Sequence, residues 1–292
     1  MPKGVAITRR QPEKDAPDQP GFEQLGRPSP EAQALHKPVF LAFLAWFLVC
    51  FTMICLRLEW SREWQTLDGV LPGLASLTLL IGLARRLPAQ NVLMSAALIL
   101  CISSILVALS SATGVPFGKI QYSDHFGPLV FGLFPWVAPC LWVTVLVSAR
   151  SIARLVMRPW RKTYYYGFWV IGLTLAAALV FLWPLEIFSS QVMRYWSWQM
   201  PARQTWLGVP WTFFIGSFSC SVGILFISTP WLINKQPVKL PTDYHPLVVW
   251  TLLLIYFLTA IGLHHLYLCL AVSAPAAIVL LVFAVRGGEW GK

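Results

Sequence analysis

Charge is what this chain has least of. Only 12% of its 292 residues are Asp, Glu, Lys or Arg, against about a quarter in a soluble globular domain. That shortage, with 57% hydrophobic residues, excludes a water-soluble domain. Histidine is scarce too, at five. Membrane di-iron oxygenases and desaturases draw on many histidines at short spacings, so that class is excluded. The adjacent pair His264-His265 diverges by about 100° on a helix and cannot chelate one ion together. Six cysteines, Cys50, Cys55, Cys101, Cys140, Cys220 and Cys269, all lie in apolar runs, and none forms a CxxC pair. No disulfide framework or zinc site is legible, and a packing role follows. Also missing are a GxGxxG loop, a Walker sequence, a GxSxG elbow, an internal repeat and the paired broken helices of a transporter. The expectation is no metal and no cofactor.

What is there is a series of apolar runs behind a polar tail. Residues 1–37 are rich in Pro, Gln, Glu, Asp, Arg and Lys without apolar period, and read as a disordered cytoplasmic tail. They lack the apolar core and cleavage site of a signal peptide. Spans are expected over Val39–Leu58, Val70–Ala84 (short, either beginning earlier or spanning at a thin point), Val92–Ala112, Leu129–Ala149, Tyr166–Phe188 and Trp211–Ile233. The last run, Leu247–Val285, has 39 residues. As one helix it would measure about 58 Å, against a bilayer core of about 30 Å. It divides either around Gly262-Leu263-His264-His265 or near Pro275. The fold class is therefore all-α, a polytopic membrane bundle of eight helices with seven as the fallback. The membrane domain runs over 38–286 and a short cytoplasmic C-terminus over 287–292.

The net charge of +10 belongs to topology. With the N-terminus inside, seventeen of the 22 Lys and Arg fall in the tail, the C-terminus and the alternate loops carrying Arg85-Arg86, Arg150 to Lys162, and Lys235 and Lys239. That is the positive-inside pattern of a multi-pass protein of the cell's inner membrane. Nucleic acid is not expected as a partner, because no compact basic fold is present.

Two loops fall on the opposite face. The first runs from Thr113 to Pro128. The second runs from Trp183-Pro184 through Tyr195-Trp196-Ser197-Trp198 to Gly208-Val209-Pro210-Trp211. Glycines and prolines set their turns. Between them stand Tyr, Ser, Asp, His and Trp, where the end of a lipid-soluble substrate meets water. Irregular backbone at that depth is tolerated where it lines a cavity. Asp124 is either a general acid, with His125 beside it, or the cap of the next helix. Glu186 is the one acidic residue well inside a span. A charged carboxylate at mid-bilayer costs about 2.5–3.5 kcal/mol, so Glu186 is neutral, paired or close to the interface. Arg57 and Glu59 are interface anchors or a charged rim over the same cavity.

At these loops the chain resembles the carotenoid biosynthesis membrane-protein family that includes bisanhydrobacterioruberin hydratase and the carotenoid 1,2-hydratases. The resemblance covers about residues 40–285. Gly114-Val115-Pro116-Phe117-Gly118, Tyr122-Ser123-Asp124 and Gly127-Pro128 carry it, followed by Pro135 and Trp142, then Trp196-Ser197-Trp198 and Gly208-Val209-Pro210. The chain departs from the family where Trp183 stands for an Asp, Phe213 for an Asn, Ser217 for a Trp and Ile120 for an aromatic. The resemblance implies a cofactor-independent hydro-lyase that adds water across the terminal 1,2 double bond of an acyclic carotenoid. Asp124 is then the acid or its partner, with Glu186 as a further catalytic carboxyl. His125 or Tyr122 positions water. Phe117, Ser123, Trp196, Trp198 and Trp211 line the substrate, and Gly114, Pro116, Gly118, Gly127, Gly208 and Pro210 shape the loops. Tyr122, Trp196 and Trp198 offer ring faces to a cation, although both tryptophans also suit plain interface anchoring. Expected partners are the carotenoid or a similar polyisoprenoid, membrane lipid and other enzymes of the pathway. The alternative is a non-catalytic carotenoid- or lipid-binding relative.

Overall fold

A computed structural model describes residues 30–58, 62–123, 126–199, 204–233 and 242–290. Among them are eight helices long and apolar enough to cross a membrane: α1 Pro30–Cys55, α2 Val70–Ala84, α3 Ala89–Thr113, α4 Val137–Val156, α5 Tyr166–Ile187, α6 Trp211–Leu232, α7 His245–Leu263 and α8 Tyr267–Glu289. The protein is a polytopic helical bundle. The long last run divides at His264–Leu266, where His265 takes a positive φ of 63°. The short second span does begin earlier, because a 3-10 helix over Arg62–Gly69 leads into α2. Two boundaries differ from expectation. Helix α1 starts at Pro30, inside the segment that composition assigns to the tail, and carries Pro38 within it. The fourth span starts at Val137 rather than Leu129. The intervening residues fold into a small hairpin, β2 Leu129–Val130 against β3 Phe134–Pro135, turned by Phe131 and Gly132 at positive φ.

Helix α4 is the axis. It packs against α2, α3, α5, α7 and α8, and nearly all its side chains are buried. Lipid supplies no hydrophobic drive between helices, so close approach and internal hydrogen bonds hold them. Ser76 of α2 donates to the Cys140 carbonyl of α4 at 2.6 Å and shares a hydrogen bond with Thr144 at 2.8 Å. Gly287 of α8 lies against the Leu155 carbonyl, where a Cβ would collide. Helix α1 lies at the periphery, on α2 and α7, and α6 on α3 and α5.

The connections α1–α2, α3–α4, α5–α6 and α7–α8 share one end of the bundle, and the two loops singled out above meet there. Strand β1, Ile120–Tyr122, pairs antiparallel with β4, Trp196–Trp198, in the register Ile120↔Trp198, Gln121↔Ser197 and Tyr122↔Trp196. Strands β5, Thr205–Trp206, and β6, Val209–Pro210, form a further hairpin ahead of α6.

Candidate functional site

Pairing β1 with β4 sorts their side chains by face, since alternate residues of a strand point to opposite sides. Ile120, Tyr122, Trp196 and Trp198 turn into the bundle, while Gln121 and Ser197 are exposed. The ladder is extended at both ends. The Ser123 N–H and hydroxyl donate to the Tyr195 carbonyl at 2.8 and 3.0 Å, and the Gln199 N–H donates to Lys119 at 2.9 Å. The Ser123 hydroxyl thus donates its proton to backbone and keeps only its lone pairs for a further partner.

The loop before β1 is shaped at two points. Gly114 closes α3 in the left-handed conformation, φ 84°, its N–H on the Ser110 carbonyl, a cap that favours glycine. Further on, α6 presses against the same loop at Gly216, where a Cβ would come within 2.6 Å of the Pro116 carbonyl oxygen and 3.1 Å of the Phe117 ring. Thr212 also donates to the Phe117 carbonyl at 3.0 Å. Gly118, Gly127 and Gly208 share a positive φ, and Pro210 is the extended residue on which α6 begins.

Glu186 stands at the centre of this region. It lies in the last turn of α5, just after Pro184, where the helix widens into a π turn over Phe188–Val192. Such turns recur at functional sites. Only 3% of Glu186 is exposed. The indole N–H groups of Trp196 and Trp198 both donate to one oxygen, Oε1, at 2.7 Å each. Its other oxygen, Oε2, has no hydrogen bond among the described residues. The carboxyl borders a cavity of about 50 Å³ lined by Phe117, Tyr122, Trp142, Trp196, Phe213 and aliphatic side chains. Tyr122 meets Trp196 edge to face with centroids 5.8 Å apart. Burial, and then the neighbouring Glu186, raise the Tyr122 pKa far above the usual tyrosine value, so its hydroxyl keeps its proton.

The structure thus brings together Phe117, Tyr122, Glu186, Trp196 and Trp198. It places Trp211 elsewhere: this ring is half exposed and stacks on Trp206 at 5.7 Å. Asp124, His125 and Glu59 lie outside the described residues. The N-cap of α4, the helix after the first loop, is Trp136. Of the departures, Phe213 is a wall of the Glu186 cavity, 6.1 Å from Phe117 and 5.6 Å from Trp198 between ring centroids. Trp183 sits apart from it, on Trp206 and Phe214, with its N–H on the Cys269 sulfur at 3.1 Å.

A second, larger cavity of about 800 Å³ lies on the other side of β4. Sequence reasoning missed its main carboxyl, Asp68, in the 3-10 turn before α2. Asp68 reads in the sequence as an ordinary acid ahead of a helix. In space it accepts a hydrogen bond from the Tyr195 hydroxyl, with Tyr256 and Cys50 close by. Burial first, then Asp68, raise the Tyr195 pKa well above the usual value. Arg57, His264 and His265 line the same cavity. Arg57 donates to the Leu263 carbonyl at 3.2 Å, and His265 bonds the Tyr267 hydroxyl at 2.7 Å. Arg57, just beyond α1, therefore reaches the end of α7 at the border of the larger cavity.

Comparison with known families decides the wider identity. The model of the carotenoid biosynthesis protein family matches residues 66–285, which take in both loops, the whole lining of the smaller cavity, part of the lining of the larger one and seven of the eight helices. The chain belongs to this family. No curated protein and no solved structure matches it. Family membership makes the protein a membrane component of carotenoid biosynthesis and fits a carotenoid or polyisoprenoid as what its apolar walls receive. It also puts Tyr122, Glu186, Trp196 and Trp198 inside the matched region, and leaves α1 outside it.

Proposed function

We propose that the chain is a cofactor-independent hydratase acting on the terminal 1,2 double bond of an acyclic carotenoid, with Glu186 as the proton donor. The observation that carries this reading is the pair of indole N–H groups on a single carboxyl oxygen. With Oε1 accepting both bonds, the proton of the acid form is assigned to Oε2 of a carboxyl that borders the apolar cavity. Protonation by Glu186 forms a C–H bond at C2 and leaves a tertiary cation at C1. The faces of Tyr122, Trp196 and Trp142 are suited to stabilise that cation. Water then adds its oxygen to C1 and gives a proton back to the carboxylate, so one water is consumed and the acid is restored. Tyr122, kept neutral, is the group placed to orient that water. Asp124 and His125, which follow Ser123 in the sequence, enter the proposal as a second acid and a second water-holding group.

A cavity of about 50 Å³ takes water, whose share of liquid volume is about 30 Å³, but not a prenyl end. The substrate must therefore displace aromatic walls as it enters. The positive-inside count supports an inner-membrane protein with its N-terminus, and a short C-terminus, in the cytoplasm. A second reading, carotenoid binding without catalysis, is favoured by Phe213, which makes a wall apolar where the family more often offers Asn.

Expression in a lycopene-producing host, with pigments resolved by mass, tests the proposal. Wild type is expected to yield pigment heavier by one water, and Glu186→Gln to abolish it at equal protein level. Unchanged pigments from well-expressed wild type would sink the hydratase. Hydration that survives Glu186→Gln but not Asp124→Asn would move the acid to Asp124.

A further inference from the structure

The opposite end of the bundle holds a second cluster, unrelated to either cavity. His36 of α1 meets Asp243 and His245 at the start of α7, and one potential ligand atom from each lies within 4.8 Å of the others. His36 is 2% exposed, and both of its ring nitrogens are buried without a hydrogen-bond partner among the described residues. A buried polar group left in that state costs about 1–3 kcal/mol. Its ring meets that of His245 at right angles with centroids 4.4 Å apart. Gly82 of α2 leaves it room, since a Cβ there would already touch His36 Cε1 at 3.5 Å. His245 Nδ1 lies 2.6 Å from Asp243 Oδ1, and only 9% of the Asp243 side chain is exposed.

We infer that His36, Asp243 and His245 form a binding site for a transition-metal ion of the zinc class. Two imidazole nitrogens and one carboxylate oxygen are a donor set that such ions accept, with a further position left for water. The charges around the cluster narrow the choice. Arg85 and Arg86 reach the other carboxylate oxygen, Oδ2, at 4.0 and 3.7 Å, and offset its charge. Neighbouring Arg158 is held by Thr242 and the Gly288 carbonyl. Magnesium and calcium bind through many oxygens and carboxylate charge, and this site offers one carboxylate already shared with two guanidinium groups. An ion bound chiefly by imidazole lone pairs is the one that fits. No spacing in the sequence signals it, because His36 stands 207 positions from Asp243 and outside the residues matched by the family. Its effect is mechanical: the ion ties α1, the peripheral helix, to α7.

Metal counting on the full chain tests this. The detergent-solubilised protein, freed of any polyhistidine tag, is stripped with chelator and equilibrated with micromolar Zn²⁺ or Mg²⁺. One zinc per chain and no magnesium is expected, with a rise in thermal midpoint on adding zinc. His36→Ala and Asp243→Asn should each weaken zinc binding about tenfold or more and remove that rise. The double variant His264→Ala/His265→Ala, at the other end of the bundle, should leave both intact. Should His36→Ala fail to fold, Co²⁺ on wild type decides: a visible ligand-field spectrum distinct from aqueous Co²⁺ supports the site. Substoichiometric zinc on folded wild type, uptake equal in His36→Ala, or an unaltered Co²⁺ spectrum would overturn it.

Discussion

Tyr195 and Trp196 are neighbours in the chain and face two different carboxyls. Trp196 donates to Glu186, which is enclosed and borders an apolar cavity of about 50 Å³. Tyr195 donates to Asp68, at a cavity of about 800 Å³ with arginine and histidine around it. One strand thus divides two acids of similar intrinsic chemistry into different surroundings. The enclosed one has aromatic walls to hold a cation and little room for bulk water, which is what protonating an alkene demands. Asp68 is only partly buried and borders a much larger cavity with charged residues around it, so a cation formed beside it would have less shelter. Environment, rather than residue type, distinguishes the two carboxyls.

The sharpest way to break this contrast is to remove each acid in turn. Glu186→Gln is expected to lower hydrated pigment by about 10²- to 10⁴-fold, the range of general acid catalysis, while Asp68→Asn changes it only a few-fold. Mass analysis of pigments at matched protein levels checks both, and the reverse order would transfer the chemistry to the larger cavity. Next in size are the indoles. Trp196→Phe and Trp198→Phe each delete one hydrogen bond to Oε1, an effect of about 1.5 kcal/mol or about tenfold in rate. The double variant should depart from the product of the single losses, because both donors share one acceptor. Smallest is Tyr195→Phe, which should lower stability by about 1 kcal/mol through loss of the bond to Asp68. It should leave pigment composition nearly unchanged, and thermal unfolding in detergent measures the first part. A large fall in hydration from Tyr195→Phe would show the two sides of β4 to be coupled.

Much of the architecture was legible because hydropathy is a local property. The apolar runs mark all but the fourth helix nearly in place, and the impossible length of Leu247–Val285 announces that it holds two. The fourth span was misplaced because Leu129–Pro135 is apolar enough to read as helix. The turn at Phe131 and Gly132 folds it back as a hairpin. The candidate site was legible in part. Tyr122, Trp196 and Trp198 stood out as polar-tipped aromatics between glycine turns, and Glu186 as a lone acid in a span. That Trp196 and Trp198 bond Glu186 was not legible, since their anchoring role and their site role have the same composition. Asp68 was missed for the same reason.

By itself the sequence determined the membrane environment, most of the crossings and the two loops that carry the family's motifs. Runs of apolar residues must leave water whatever surrounds them, and glycine and proline restrict the backbone wherever they stand. Only the tertiary structure decided which side chains meet. The antiparallel register of β1 on β4 sets both indoles on one oxygen of Glu186, and the packing of α1 on α7 brings His36 to Asp243 and His245. Those partners are far apart in the chain, and hydrogen bonds and coordination depend on distances that no local pattern of residues specifies.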